Sequence, residues 1–306
     1  MVISGDFDGL LSAAYLSHLS GWKVGGFYNF YGLWLAVDLL GDREIPCSPE
    51  ELENFLCEKD VIFVDHDINS PMIKSIGHHM ISWDRGLSGR HSIKASLNPN
   101  LARGFNAEEN FERKYPFATI HLLCWACPPD ENLLRSEDFA SLLLYADSSI
   151  LNALVYQENA LEWVDWLQWS TPNSPLFSFC RALLRLHPSA LVEKTKWIAD
   201  VFRRQGMKGR GQKGLPQSLL DTTKTDTPDG WSLSALLPIF QAILEVIQSV
   251  TGWSLLVPDR FRFLQLNRRS LKSCSKTRFV EITTNPATFS FAIPFTRTLN
   301  FTFFLT

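Results

Sequence analysis

Long apolar runs are missing from this 306-residue chain. Uncharged stretches such as 24–37 and 282–296 fall short of the roughly 18 residues that a membrane-spanning helix needs, and the second contains Pro286 and Pro294. No basic region precedes an apolar stretch at the N-terminus, where Asp6 and Asp8 stand in place of a signal peptide's apolar core. These absences predict a soluble, cytoplasmic protein with no membrane partner. Cysteine is also scarce. The six residues at 47, 57, 124, 127, 180 and 274 are scattered through a chain too large to depend on disulfides, which suits a reducing compartment. There is no internal repeat.

Net charge is low as well, at −3, but it is unevenly distributed. Residues 203–213 carry five basic and no acidic side chains, and residues 260–278 carry seven basic and none acidic. The other 17 basic residues face all 32 acidic ones, so the body of the chain is at −15. Hydrophobic residues make up 45% of the chain and there are ten Trp, enough for a sizeable core, which excludes global disorder.

The length suggests about two domains. MVIS reads as a strand, GDFDG as a turn and LLSAAYLSHLS as a helix. Within 35–58, SPEELENFL opens on a Ser-x-x-Glu capping pattern at Ser48 and Glu51. VIFVD at 61–65 reads as a buried parallel strand that ends in an acid. SPMIKSIG is then expected to form a short helix and HHMISW the next strand. Helical patterns fill 117–204, and the Gly-, Thr- and Asp-rich stretch 205–230 reads as a flexible linker. A helix carrying one proline follows, and SLLVP, RFVEIT, TFSFAI and LNFTFFL alternate like antiparallel strands. The expectation is an α/β fold. A Rossmann-like parallel sheet with helices covers 1–160, followed by a helical connector at 161–204 and a small α+β C-terminal domain at 231–306.

In an open α/β sheet, ligand chemistry gathers at the carboxyl ends of the strands. Asp6 and Asp8 follow the first strand, Asp65 closes VIFVD, His78 and His79 follow the next turn, and Asp147 sits in LLLYADSS. Four carboxylates and two imidazoles converging there would leave like charge unpaired unless a divalent metal is present. Hard carboxylates mixed with imidazole suit Mn²⁺ or Mg²⁺. Two such ions would activate a water and stabilise the phosphoryl charge of an in-line displacement.

At these residues the sequence resembles the DHH phosphoesterases, a group that includes single-strand exonucleases, oligoribonuclease-type enzymes and cyclic-dinucleotide phosphodiesterases. SGDFDGLLSA, VIFVDHDI, SIGHHMIS and LLLYADSS look like the four family motifs in order. SLNPN and KYPFATIHLL stand where many members have an Asn-Pro loop and a Tyr-Pro helix start. The resemblance covers about residues 1–155. It implies a DHH-type domain in which Asp6 and Asp65 bind one metal, while Asp8, Asp65, His78 and Asp147 bind the other. Asp65 would be the bridging and catalytic carboxylate, and His79 would face the scissile phosphate. Asn98 would contribute to substrate binding. There are two departures: Val2 stands where the family has a His, and Gly77 where the His-His motif has its leading Asp. A different register puts Asp84-Arg85-Gly86 at that motif. The family's Gly-Gly-Gly-His motif for substrate phosphates is absent.

Other readings of the same residues stay open. An EF-hand fails, because neither a third Asp nor a Glu at the twelfth position follows Asp6. The opening also resembles the haloacid dehalogenases, with Asp6 as nucleophile and Asp8 as acid/base, but that family's Thr is replaced by Leu10. Cys124 and Cys127 have redox-motif spacing, yet no strand precedes them, and they read as core packing. In the second basic segment Arg260 and Arg262 alternate with Phe261 and Phe263, and Arg268 and Arg269 follow. Those four arginines are candidates for phosphate contact, with base stacking beside them. The expected function is a metal-dependent phosphodiesterase acting on single-stranded nucleic acid or on short or cyclic oligonucleotides. The alternatives are a DHH-like binding or assembly module without turnover and a dehalogenase-type phosphatase. A homodimer is an open possibility.

Overall fold

The structure, a computed structural model, describes residues 1–84, 95–170, 174, 176–204 and 233–304. The expected linker at 205–230, residues 205–213 of the first basic segment, and Arg85 and Gly86 lie outside the described residues. The chain divides into two compact units. One comprises Met1–Ser4, Trp22–Tyr115 and Leu256–Thr306, and the other Gly5–Gly21 and Pro116–Leu255. No described helix is long and apolar enough to cross a membrane.

In chain order the elements begin with β1 (Val2–Ser4), α1 (Phe7–Ser20), β2 (Gly26–Tyr28) and β3 (Gly32–Ala36). Next come α2 (Val37–Leu40), α3 (Pro49–Glu58), β4 (Ile62–Val64), β5 (Lys74–Ile76), β6 (Ser96–Leu97) and α4 (Pro99–Ala102). Helices α5 (Thr119–Ala126), α6 (Glu131–Leu134), α7 (Glu137–Tyr145), α8 (Ser149–Val155) and α9 (Gln157–Ser170) follow. The chain ends with α10 (Leu176–Leu184), α11 (Pro188–Arg204), α12 (Leu233–Thr251), β7 (Phe261–Leu271), α13 (Lys276–Thr284), β8 (Thr288–Phe295) and β9 (Thr298–Phe304).

The first unit is α/β, built on a nine-stranded mixed sheet in the order β6-β5-β4-β1-β2-β3-β7-β9-β8. From β6 to β2 all neighbours are parallel, and from β2 onward all are antiparallel. In the register, Ile3 lies between Val64 of β4 and Phe27 of β2. The strands at this centre are almost wholly buried, as expected where both faces are covered. Helix α3 starts on the expected capping box, with Ser48 Oγ accepting from Glu51 N and Glu51 Oε2 from Ser48 N. Its Leu52, Phe55 and Leu56 enter a core with Val2, Tyr28, Phe63, Leu266 and Phe289. At about 1.5–3 kcal/mol for each large side chain taken out of water, this cluster is a main source of the unit's stability.

Four expected elements differ. SPMIKSIG gives the strand β5 rather than a helix, because its peptide groups pair in parallel with β4 on one side and β6 on the other. HHMISW is not a strand. Its carbonyls accept from two different segments, Met80 O from Ile293 N, and Ser82 O and Trp83 O from the neighbouring Ala107 N and Glu108 N. SLLVP forms no strand either, and its Leu256 is 87% exposed. RFVEIT lies in helix α13, where Ser275 Oγ caps by accepting from Arg278 N. Its buried positions, Phe279, Ile282 and Thr283, recur at helical rather than alternating spacing.

The second unit is helical. Helix α1 packs on α5 and α12, and Trp253 lies 4.4 Å from the Tyr15 ring and 5.5 Å from Phe139. A second apolar cluster joins Ala140, Leu144, Leu183 and Leu191 from α7, α10 and α11.

Candidate functional site

The carboxyl ends of β4 and β5 bring two acids and three imidazoles together, Asp65 and Asp67 with His66, His78 and His79. Asp65 follows β4 directly and has a left-handed backbone, φ 64°. Such a conformation costs a residue with a Cβ about 1–2 kcal/mol and is held only where the surroundings dictate it. Here Ile76 O, the last carbonyl of β5, accepts from both Asp65 N at 2.7 Å and His66 N at 3.2 Å. The carboxylate is buried; Oδ2 accepts from Ser4 Oγ at 2.7 Å, and Oδ1 lies 3.3 Å from His78 Nδ1. Burial alone raises its pKa, but the hydrogen bond and charge of His78, with His66 and His79 nearby, bring it well below the usual carboxylate range. With metal–ligand bonds of about 2 Å, two ligands of one ion sit roughly 3 Å apart. The Asp65–His78 separation therefore suits either a shared proton or a shared cation.

Asp67 and His79 make a second acid–imidazole pair. Asp67 Oδ1 accepts from Ser96 Oγ and Asn98 Nδ2, each at 2.9 Å. Its Oδ2 accepts from His79 N at 3.3 Å and lies 3.4 Å from His79 Nδ1. Burial opposes ionisation of Asp67, and the His79, Asn98 and Ser96 contacts outweigh it, so the pKa is lowered. Asn98 is buried, and its Nδ2 is shared between Asp67 and His79 O while its Oδ1 caps α4 through Asn100 N. Asn100 Nδ2 donates to His78 O at 2.8 Å, so two asparagines fix the main chain of the His-His pair. The two rings stack with centroids 4.5 Å apart. His78 is buried, and the side chain of His79 is 35% exposed.

His66 is buried against Tyr28 and Phe30, and its Nε2 lies 3.0 Å from Tyr28 O. A carbonyl only accepts, so Nε2 carries the proton. Burial brings the His66 pKa down to about 4 despite the Asp65 charge, which leaves the ring neutral at pH 7.

The remaining acids lie in the second unit. Asp6 is the N-cap of α1, accepting from Gly9 N at 3.0 Å. Asp8 is buried and accepts from the first amides of α5, Thr119 N at 2.7 Å and Ile120 N at 3.0 Å, and from Ser12 Oγ at 3.3 Å. A carboxylate there balances the positive end of α5. Asp147, expected as a metal ligand, stands at a kink with φ 45° and is exposed. Val2 is a fully buried core residue. Within the first unit, Asp65 and His78 are a buried carboxylate–imidazole pair whose donors could both reach one metal ion.

The candidate arginines lie on and beside β7. Arg260 is exposed and precedes the strand. Arg262 pairs with Glu44 at 2.5 Å, Arg268 lies over the rings of Phe30 and Tyr31, and Arg269 lies over Phe303 at 4.9 Å. Arg268 and Arg269 thus stand beside aromatic rings, an arrangement that also suits stacked bases.

The acid-rich turn Asp65-His66-Asp67 stands out in the sequence, but Asp67 is not among the expected site residues. The signal was a second acid two residues past the strand end, together with a glycine in place of the acid expected before His78. Comparison with family models, with curated proteins and with solved structures returns no match for this chain.

Proposed function

We propose that the protein is a divalent-metal-dependent phosphodiesterase, of the DHH type in architecture, acting on single-stranded nucleic acid or short or cyclic oligonucleotides. The observation that carries this reading is Asp65: a buried, ionised carboxylate on strained backbone, aimed at His78. A buried charge of this kind is costly, and a cation is the usual compensation. Asp65 and His78 fit Mn²⁺ or Mg²⁺ by donor type, a carboxylate beside an imidazole. An ion held there supplies a Lewis acid for a phosphoryl oxygen and an acidified water. Asp65 holds its place through Ser4 and the Ile76 carbonyl. His79 is the exposed partner of the pair and contacts the phosphate, while Arg268 and Arg269 hold the rest of the polyanion. The test is hydrolysis of single-stranded DNA, RNA and cyclic dinucleotides with Mn²⁺, beside Asp65→Asn and Asp8→Ala. Activity that survives both substitutions sinks this mechanism.

One observation favours a second reading, a binding module without turnover. Asp6 and Asp8 are both engaged in helix capping, so the acids assigned to the metals also have structural duties. One or fewer Mn per chain by elemental analysis, together with tight oligonucleotide binding and no hydrolysis, would favour it.

A further inference from the structure

We propose that Asp67 is the positioning residue of His79, acting across the gap that Gly77 leaves open. The backbone at Gly77 is not left-handed, so its conformation does not demand glycine. Space does. A Cβ built at position 77 would lie 2.4 Å from Asp67 Oδ2, 2.6 Å from its Cγ and 2.7 Å from its Oδ1. The Asp67 carboxylate fills the volume that any side chain at 77 would occupy. From there it receives His79 N and faces His79 Nδ1. Ser96 and Asn98 occupy its other oxygen and prevent it from turning away.

The consequence concerns the proton of His79. A carboxylate facing Nδ1 holds the neutral ring in the tautomer with hydrogen on Nδ1 and leaves the Nε2 lone pair outward. Only the outward nitrogen can meet a ligand, because the Nδ1 edge is committed to a carboxylate whose side chain is 1% exposed. Asp67 therefore sets which atom His79 presents. That this atom meets a phosphate rests on the function proposed above; the tautomer itself does not.

The experiment reads both. Long-range ¹H–¹⁵N spectra of the full chain in mildly alkaline buffer give the tautomer of His79, assigned by the signal lost in His79→Gln. The wild type is expected to show hydrogen on Nδ1, and Asp67→Asn to show hydrogen on Nε2 or a mixture. Gly77→Asp alone is expected to destabilise the protein by collision. The double variant Asp67→Gly with Gly77→Asp returns a carboxylate to the same volume and is expected to recover both stability and the Nδ1 tautomer. Asp67→Asn is expected to lower kcat about 10- to 100-fold with metal content unchanged. An Nε2 tautomer in the wild type overturns the proposal, as does an unchanged tautomer in folded Asp67→Asn. If Asp67→Asn does not fold, the wild-type spectrum and the double variant decide. If the wild type hydrolyses no phosphodiester, the functional reading fails and the spectra still decide the role of Asp67.

Discussion

Replacing Gly77 with alanine isolates a single steric question. The added methyl would stand 2.4–2.7 Å from three atoms of the Asp67 carboxyl group, well inside contact distance. Asp67 is short, buried and fixed through Ser96, Asn98 and His79, so it cannot swing aside as a lysine tip would. Overpacking of a tight interior costs roughly 1–3 kcal/mol. Losing one hydrogen bond to a buried charge adds roughly 1.5–3 kcal/mol. The expected loss is therefore about 4 kcal/mol, a large share of the ~5–15 kcal/mol that holds a domain together. At ~2–4 °C per kcal/mol, Tm should fall by roughly 8–16 °C. The control is Gly21→Ala. Gly21 closes α1 with φ 67° and has nothing within 4 Å of a built Cβ, so only the left-handed backbone penalty of about 1–2 kcal/mol applies. Differential scanning calorimetry of the two variants gives the comparison. If Gly77→Ala melts at or above Gly21→Ala, the steric account of Asp67 is wrong.

Asp8 accepts three hydrogen bonds, two of them from the first amides of α5. Asp8→Ala should cost about 2–3 kcal/mol in urea unfolding, and Asp8→Asn, which keeps one acceptor oxygen, about 1 kcal/mol. Equal costs would remove the capping role. Tyr28 Oη and Ser290 Oγ are buried at 2.5 Å from each other. Tyr28→Phe and Ser290→Ala should each destabilise by ~1–3 kcal/mol, and the double variant by at least about 0.5 kcal/mol less than their sum, the smallest coupling usual for touching residues; additive losses would refute the coupling. Burial pushes the Cys180 thiol up to about 12 and raises that of Cys124 well above its usual value. Iodoacetamide at about pH 8 should therefore label exposed Cys47 and Cys127 in minutes and leave these two intact until denaturant is added. Rapid labelling of Cys180 in the native protein would contradict the packing of α10. Arg268→Ala with Arg269→Ala should weaken single-strand binding and reduce the slope of log K against log salt by about 1.4, roughly 0.7 for each phosphate no longer neutralised. An unchanged slope would place the nucleic acid elsewhere.

What could be read from the sequence was local. VIFVD ends in an acid because the chain leaves a buried strand there, and the Ser48–Glu51 cap announces α3 from two side chains three residues apart. TFSFAI and LNFTFFL alternate, and they form β8 and β9. MIKSI was misjudged because a three-residue strand between polar turns shows too little periodicity to separate it from a helical turn. RFVEIT was misjudged because its β-branched residues suggest alternation, whereas Ser275 and the burial of Phe279 and Ile282 set a helical period. The pairing of β7 with β3 joins segments far apart in the chain and leaves no local trace. The link between Asp67 and Gly77 was hidden for the same reason. Each is ordinary alone, and only the parallel pairing of β4 with β5 makes the glycine a space for the carboxylate.

The proposed function turns on a divalent cation held by Asp65 and His78. Isothermal titration of the metal-free chain with Mn²⁺, repeated on Asp65→Asn, tests it most directly. Asn tolerates the left-handed backbone at position 65, so the variant should keep its fold by circular dichroism. The account predicts at least one Mn²⁺ bound per wild-type chain and a loss of more than about tenfold in affinity in Asp65→Asn. Equal Mn²⁺ binding by both proteins, or none by the wild type, would contradict it.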